Sequence, residues 1–270
     1  MRHLVSRGKL VQAAGAMAVA STASAGTAEA QATRRWGLIG MIKPTVTQGP
    51  IEELIPFLPA GLGYAPVYLN IQNGATQEFA TAMPVYERNI EILAAQKCDI
   101  IHPEGAPPFM LLGPQREAEV VSGWQKRYGV PMFTSSQNHV NALRALKVKR
   151  IVGATYLPPD QNRVFANYFN AVGFNVLSMD GFKADFNKIQ DVPAEQIADY
   201  IRGNVRKQIG VDAIYVLGSG WRILEIIDPL EKEFGIPFLH PVIARAWQIQ
   251  KLLGIRLPKT GYGRLIAELP

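Results

Sequence analysis

The sequence predicts an α/β protein of two pseudo-symmetric lobes, each a parallel sheet flanked by helices, with a site in the cleft between them. Three observations predict it. From residue 36 onward, short apolar runs of strand length alternate with longer segments of helical periodicity. An apolar run ends twice in a glycine turn, as Cys98-Asp-Ile-Ile-His-Pro-Glu-Gly-Ala106 and as Val211-Asp-Ala-Ile-Tyr-Val-Leu-Gly-Ser-Gly-Trp-Arg222. Of the 270 residues 48% are apolar, enough for a sizeable core. Two similar turns, one per half, imply a duplicated unit, and in parallel sheets a ligand sits at the carboxyl ends of the strands.

The elements follow in order. Trp36 to Ile42 reads as a buried strand that Lys43-Pro44-Thr45 ends. Gly49-Pro50 opens a short helix to Ile55, with Pro where an N–H has no partner to lose. Tyr64 to Ile71 is a strand. Thr76 to Lys97 is helical, interrupted or begun afresh at Pro84. Cys98 to Ile101 is a strand that delivers His102-Pro103-Glu104-Gly105. Pro108 to Tyr128 is helical with a break at Gly113-Pro114, and Val130 to Phe133 is a fourth strand.

In the second half, Ser135 to Leu146 is a helix, Arg150 to Ala154 a strand and Asp160 to Val172 a helix. A strand over Phe174 to Leu177 precedes a helix over Pro193 to Gln208. Ala213 to Leu217 is the strand before Gly218-Ser219-Gly220, and Trp221 to Phe234 a helix. Ile236 to Leu239 and Ile243 to Leu253 close the pattern as strand and helix. The first lobe takes residues 35–136 and 240–270, the second 137–239.

Residues 1–30 are set apart as an export signal. A basic start with Arg2, Arg7 and Lys9 leads into an Ala-rich segment from Leu10 to Ala25, and Ala28-Glu29-Ala30 suits cleavage before Gln31. Ser6-Arg7-Gly8-Lys9-Leu10 is twin-arginine-like with the second Arg replaced, so the route is Tat-like or Sec. The segment is too short and too rich in Ala, Ser and Thr to span a bilayer, so no stable membrane anchor is expected and the mature chain is periplasmic or secreted. The formal charge is +6, and removing a net +2 in residues 1–30 leaves +4. No Lys/Arg block is present to track a phosphate backbone, so nucleic acid is not an expected partner. One cysteine, Cys98, excludes an internal disulfide, and three histidines beyond His3 (His102, His139 and His240) do not make a metal cluster. No metal and no cofactor is expected; a small carboxylate is the expected partner, with a homo-oligomer possible.

Several segments carry a resemblance. Ser-x-x-x-x-Asn-Ala-Leu-Arg-Ala-Leu-x-Val-x-Arg over Ser136 to Arg150 is one, and Ala154-Thr155 with Asn162 another. The turn at 218–220 and Thr260-Gly-Tyr-Gly-Arg-Leu265 complete the set. Together, in one register from about residue 36 to 265, they resemble the arylmalonate decarboxylase and maleate isomerase branch of the aspartate/glutamate racemase superfamily. The resemblance implies two α/β lobes with cofactor-free chemistry at a carbon beside a carboxylate, with cysteines in the two turns moving the proton. This chain departs from that pattern. The two positions read Gly105 and Gly218, and the Thr-Ser expected after the first turn reads Ala106-Pro107.

The candidates for proton transfer are therefore His102, Glu104 and Ser219. His titrates near neutrality when unperturbed, Glu104 can orient it or act as base, and Ser219 can touch substrate or cap the helix predicted from Trp221. Gly105, Gly218 and Gly220 let backbone approach a ligand, and the helix start after Gly220 favours an anion. Lys43 and Arg222 are cationic partners for a carboxylate, Thr155 and Tyr156 hydrogen-bonding ones, and His240 faces the first turn; His139, inside a helix, reads as structural. The expected function is a cofactor-independent racemase, isomerase or decarboxylase of a small carboxylic or dicarboxylic acid without cysteine catalysts. A non-catalytic carboxylate-binding protein on the same fold is the alternative, and a serine hydrolase built on Ser219 a weaker third.

Overall fold

A computed structural model describes residues 36–45 and 51–269. The signal segment, Arg34, Arg35 and Gly49-Pro50 lie outside the described residues. Among those described, two parallel sheets carry the fold. The first has order β2-β1-β3, from β1 (Leu38–Lys43), β2 (Gly63–Tyr68) and β3 (Ile100–Pro103). The second has order β5-β4-β6-β7, from β4 (Arg150–Thr155), β5 (Asn175–Gly181), β6 (Ala213–Val216) and β7 (Phe238–Leu239). The three inner strands, β1, β4 and β6, are buried along nearly their whole length, as strands covered on both faces must be.

Helices fill the crossovers. The first half holds α1 (Ile51–Leu54), α2 (Thr76–Ala80), α3 (Met83–Ala95), α4 (Ala106–Leu112) and α5 (Pro114–Tyr128). The second holds α6 (Ser135–Ala145), α7 (Pro159–Ala171), α8 (Ala194–Arg206), α9 (Leu224–Phe234), α10 (Pro241–Leu252) and α11 (Arg264–Glu268). Pro84 stands in the first turn of α3, so the expected interruption is a second helix start. The expected fourth strand at 130–133 is reduced to one bridge, Ile101 to Met132, because Pro131 offers no N–H to a ladder. Phe174 to Leu177 extends further than expected, to Gly181. Helix α10 packs against α1 and α6, and α4 packs against α7, so both sheets meet through these helices. One core runs from Ile39, Met41 and Ile100 through Ile151 and Val152 to Ile214 and Val242; a second, around Tyr86, Ile90, Phe109 and Trp124, covers the other face of the first sheet. No helix among the described residues is long and apolar enough to cross a membrane.

Candidate active site

Strand β3 runs out at Pro103, and Glu104 is pinned to the neighbouring strand by donating its N–H to the Ile42 carbonyl at 2.8 Å. Gly105 follows at φ +103°, a conformation that glycine adopts at little cost, and its N–H donates to Ser135 Oγ at 3.1 Å. The Tyr86 hydroxyl donates to the Glu104 carbonyl. The backbone is thus held on three sides, and the Glu104 side chain enters the cleft as a fixed carboxylate.

Three elements converge on that carboxylate. Lys43 Nζ, at the end of β1, donates to Oε2 at 3.2 Å; Arg245 NH2, from the middle of α10, donates to Oε1 at 2.5 Å; and the Ser219 hydroxyl, from the second turn, donates to Oε1 at 3.3 Å. Lys43 and Arg245 are each 1% exposed and Glu104 3%, so the ion pairs are dry. Burial pushes the Glu104 carboxyl up, but Arg245 and then Lys43 outweigh it and the net direction is down: Glu104 stays ionised. Burial lowers Lys43, with the attraction of Glu104 opposing it.

A cavity of about 50 Å³ lies between the two turns, lined on its polar side by Glu104, Ser135, His139, Tyr156, Ser219 and Arg245. Its other walls include Phe79, Phe186, Leu157, Leu217 and Pro241. Arg245 spends one nitrogen on Glu104; its Nε and NH1 are buried without a hydrogen-bond partner among the described residues. Leaving such donors unmet is costly unless a ligand meets them. His139 Nδ1 lies 2.9 Å from the Tyr215 hydroxyl, and its Nε2 is likewise unpartnered. Burial, then the field of Arg245, lowers His139 to about 3, so it is neutral.

Of the residues marked on sequence, Glu104, Gly105, Tyr156, Gly218 and Ser219 line the cavity. Lys43 stands one bond behind it, on Glu104. His102 does not reach it. It belongs to β3 itself, is fully buried, stacks on Phe133 with ring centroids 4.3 Å apart, and donates Nδ1–H to the Phe133 carbonyl at 2.7 Å. Burial, then Arg245, lowers it to about 3, which removes it from acid–base work near neutral pH. Thr155 holds a turn: its hydroxyl donates to Asn162 Oδ1 at 2.7 Å and accepts from Leu157 N at 3.0 Å, which aims Tyr156 and Leu157 at the cavity. Gly220 N–H donates to the Tyr156 hydroxyl at 3.2 Å.

Three expectations are corrected. Helix α9 starts at Leu224 with Ile223 as its cap residue, so Ser219 is no helix cap and the anion argument from a helix start at Trp221 lapses. Arg222 points outward to Glu52 at 3.4 Å, with its side chain 48% exposed. His240 caps α10, its Nδ1 accepting from Val242 N at 3.3 Å, and does not line the cavity.

Arg245 and Ser135 are absent from the sequence reading, and His139, read there as structural, lines the cavity. No sequence signal marks Arg245: that every residue from Pro241 to Gln250 is buried, so that an Arg among them needs a partner inside, is visible only in the fold. His139 and Ser135 carry none beyond their type.

At each of the two turns the space beside the glycine is filled. A Cβ built on Gly218, at φ +95°, falls 2.3 Å from the Tyr156 hydroxyl, and one on Gly105 falls 2.9 Å from both Pro44 Cγ and the Tyr86 hydroxyl. Cys98 is buried before the start of β3, at the end of the sheet opposite the cavity. It stands six positions before Glu104, roughly 20 Å of extended chain.

The family model for arylmalonate decarboxylase matches residues 39–266. The chain belongs to the arylmalonate decarboxylase family. Among curated relatives, a maleate isomerase from Nocardia farcinica is 30% identical over 132 residues, 48% of this chain and 51% of that protein. The chain thus matches about half the length of that relative. Arylmalonate decarboxylase from Bordetella bronchiseptica is 23% identical over 220 residues, 79% of this chain and 87% of that protein. The solved maleate isomerase of Pseudomonas putida S16 superposes with a TM-score of 0.78 at 17% identity, over 87% of this chain and 99% of that one. The two parallel sheets flanked by helices are therefore the fold of the arylmalonate decarboxylase family. Within it, this chain carries glycine at both turns and a buried Lys43–Glu104–Arg245 network beside the cavity.

Proposed function

We propose that this protein is a cofactor-independent enzyme of the decarboxylase and isomerase type that acts on a small carboxylic acid without a cysteine. The observation that carries the reading is Arg245: a buried guanidinium at the cavity with two N–H groups unmet is a seat for a carboxylate. Arg245 binds the acid and Glu104, kept ionised, holds Arg245 in place; when the acid binds, the Ser219 hydroxyl turns from Glu104 to the carbon beside the carboxylate, gives its proton to the carbanion left there by loss of carbon dioxide or of a proton, and is reprotonated by water. Of the three groups marked for proton transfer, Ser219 and Glu104 are the two at the cavity. The residue 1–30 segment belongs to the same reading: the protein works outside the cytoplasm, and its mature form begins at Gln31.

The test is proton–deuterium exchange and turnover on a panel of malonates, maleate, monocarboxylates and amino acids, alongside thermal stabilisation by each. An active acid identifies the substrate class. Arg245→Gln then removes both stabilisation and turnover, whereas Ser219→Ala keeps stabilisation and lowers turnover by at least ~10²-fold. If no acid stabilises the protein, the carboxylate seat is wrong. Stabilisation without turnover would favour a second reading, a periplasmic carboxylate-binding protein. Two observations favour it: glycine at both thiol positions, and His139, the histidine at the cavity, held far below neutral pH.

A further inference from the structure

The cavity wall holds a second buried group with an unmet atom, His139, and its reading rests on the carboxylate seat proposed above. His139 is 2% exposed and stands one turn after Ser135 on α6, so the two share a face of the helix. Ser135 Oγ accepts from the Gly105 N–H at 3.1 Å, which anchors that face to the first turn. Asn138, beside His139, joins α6 to α10 at the arginine. With its amide oriented so that both ends are met, it donates to the Ala244 carbonyl at 3.0 Å and accepts from Arg245 N at 3.1 Å. The two helices are thus pinned together where Arg245 and His139 border the cavity.

The hydrogen-bond pattern fixes which ring nitrogen carries the proton. A neutral imidazole has one N–H to place. Tyr215, in β6, is fully buried, and among the described residues its hydroxyl has one hydrogen-bond partner, His139 Nδ1 at 2.9 Å. If Nδ1–H donated to Tyr215, the phenol proton would be buried with no acceptor, and His139 Nε2 would be unmet as well. With the hydroxyl donating to Nδ1, the phenol is satisfied and the imidazole proton sits on Nε2. One group is then left over among the described residues, an N–H donor at the wall of the cavity that Arg245 also borders.

We propose that His139 is a second ligand-binding residue of this site: its Nε2–H donates to an oxygen of the acid that Arg245 holds. Tyr215 is a positioning residue, which keeps the proton on Nε2 by donating to Nδ1. The neutral ring adds a hydrogen bond to the seat without adding charge.

Long-range 1H–15N correlation on the full chain labelled with 15N-histidine reads the tautomer at pH 7, with His139→Gln identifying the signal. The expected result is a protonated Nε2 and an unprotonated Nδ1 in the free protein; a protonated Nδ1 overturns the inference whatever the protein binds. Tyr215→Phe is expected to bring in the second tautomer, and an unchanged spectrum overturns the part given to Tyr215. Calorimetric titration with propionate, phenylacetate, malonate and maleate measures the bond itself. For the acids that bind the wild-type protein, His139→Leu weakens binding about tenfold or more, as loss of a hydrogen bond to a charged group does. His139→Gln, whose amide N–H lies near the place of Nε2, keeps most of the affinity, which a merely structural histidine would not predict. Binding unchanged in folded His139→Leu overturns the inference and leaves the Arg245 seat standing. Binding of none of the four acids overturns both. Should the Leu variant not fold, the wild-type spectrum decides: the Nε2–H signal moves when a bound acid is added, and a signal that stays in place overturns the inference.

Discussion

At the scale of single residues, Gly218 and Arg245 shape the site most. Gly218 has φ +95°, and the space a Cβ would need is filled by the Tyr156 ring, with Cζ at 2.6 Å and the hydroxyl at 2.3 Å. The second turn is therefore packed for glycine, and a side chain placed there collides with Tyr156. Gly218→Cys is expected to destabilise the protein by about 1–3 kcal/mol from backbone strain, with the overlap added. Its cost should fall in a Tyr156→Ala background, measured as a double-mutant cycle in urea. Equal costs in the two backgrounds would mean that Tyr156 does not close the position. Arg245 makes an ion pair with Glu104 and still offers two nitrogens to the cavity.

At the scale of elements, the turn that feeds the site is held by a second buried carboxylate. Glu117, in the first turn of α5, is fully buried and accepts hydrogen bonds from the hydroxyls of Thr134 and Ser136 at the start of α6 and of Tyr168 in α7. Thr134 is also the cap of α6, where it accepts from Gln137 N at 3.2 Å. One side chain therefore ties three helices together and fixes where α6 begins, and with it Ser135 and His139. Burial pushes the Glu117 carboxyl up, and the three hydroxyls pull it back only in part. Glu117→Leu leaves those hydroxyls without an acceptor and is expected to cost roughly 2–4 kcal/mol. Glu117→Gln should cost about half as much, since its oxygen still accepts. Urea denaturation checks both; a loss under 1 kcal/mol for the Leu variant would show that these bonds are replaceable.

At the scale of the whole molecule, the buried titratable groups predict acid sensitivity. His102, His139 and His240 are each held at about 3, by burial first and then by the field of Arg245. Unfolded, each titrates near 6.5. Between those values the unfolded chain binds more protons, so stability falls as pH falls from about 6.5 toward 3. Glu104, held below its ordinary value, acts in the same sense below about 4.5. Glu53, Glu117 and Glu231 are raised, burial being the main cause, and act in the opposite sense above about 4.5, where the folded chain binds the extra proton. The loss is therefore shallow near pH 6 and steepest below about 4.5, approaching ~4 kcal/mol per pH unit from the three histidines. Circular dichroism from pH 7.5 to 3.5 should show cooperative unfolding in the lower part of that range. A chain that stays folded at pH 3.5, or a slope there of less than one proton, would mean that the histidines are not buried neutral in solution.

Local order in this chain is written in the sequence. The alternation of strand and helix, the helix restart at Pro84, the break at Gly113-Pro114 and the two glycine turns all rest on contacts between near neighbours, and all are present. The absence of a thiol from both turns is likewise a sequence fact. Which side chains meet was decided by tertiary structure. Parallel strands buried on both faces carry no polar–apolar alternation, so nothing local says whether His102 faces the cleft or the core; packing against Phe133 settles it. Helix α10 is buried on every side from Pro241 to Gln250 and mixes Arg245, Gln248 and Gln250 among its apolar residues, so no periodicity says that Arg245 faces a carboxylate 141 positions earlier in the chain. Ser219 was placed by where α9 begins, and Arg222, two residues past Gly220, by an outward contact with Glu52. Local preference sets each element within a few residues, but the side chains that share a cavity are chosen by the three-dimensional burial of charge, which has no signature in any one stretch of sequence.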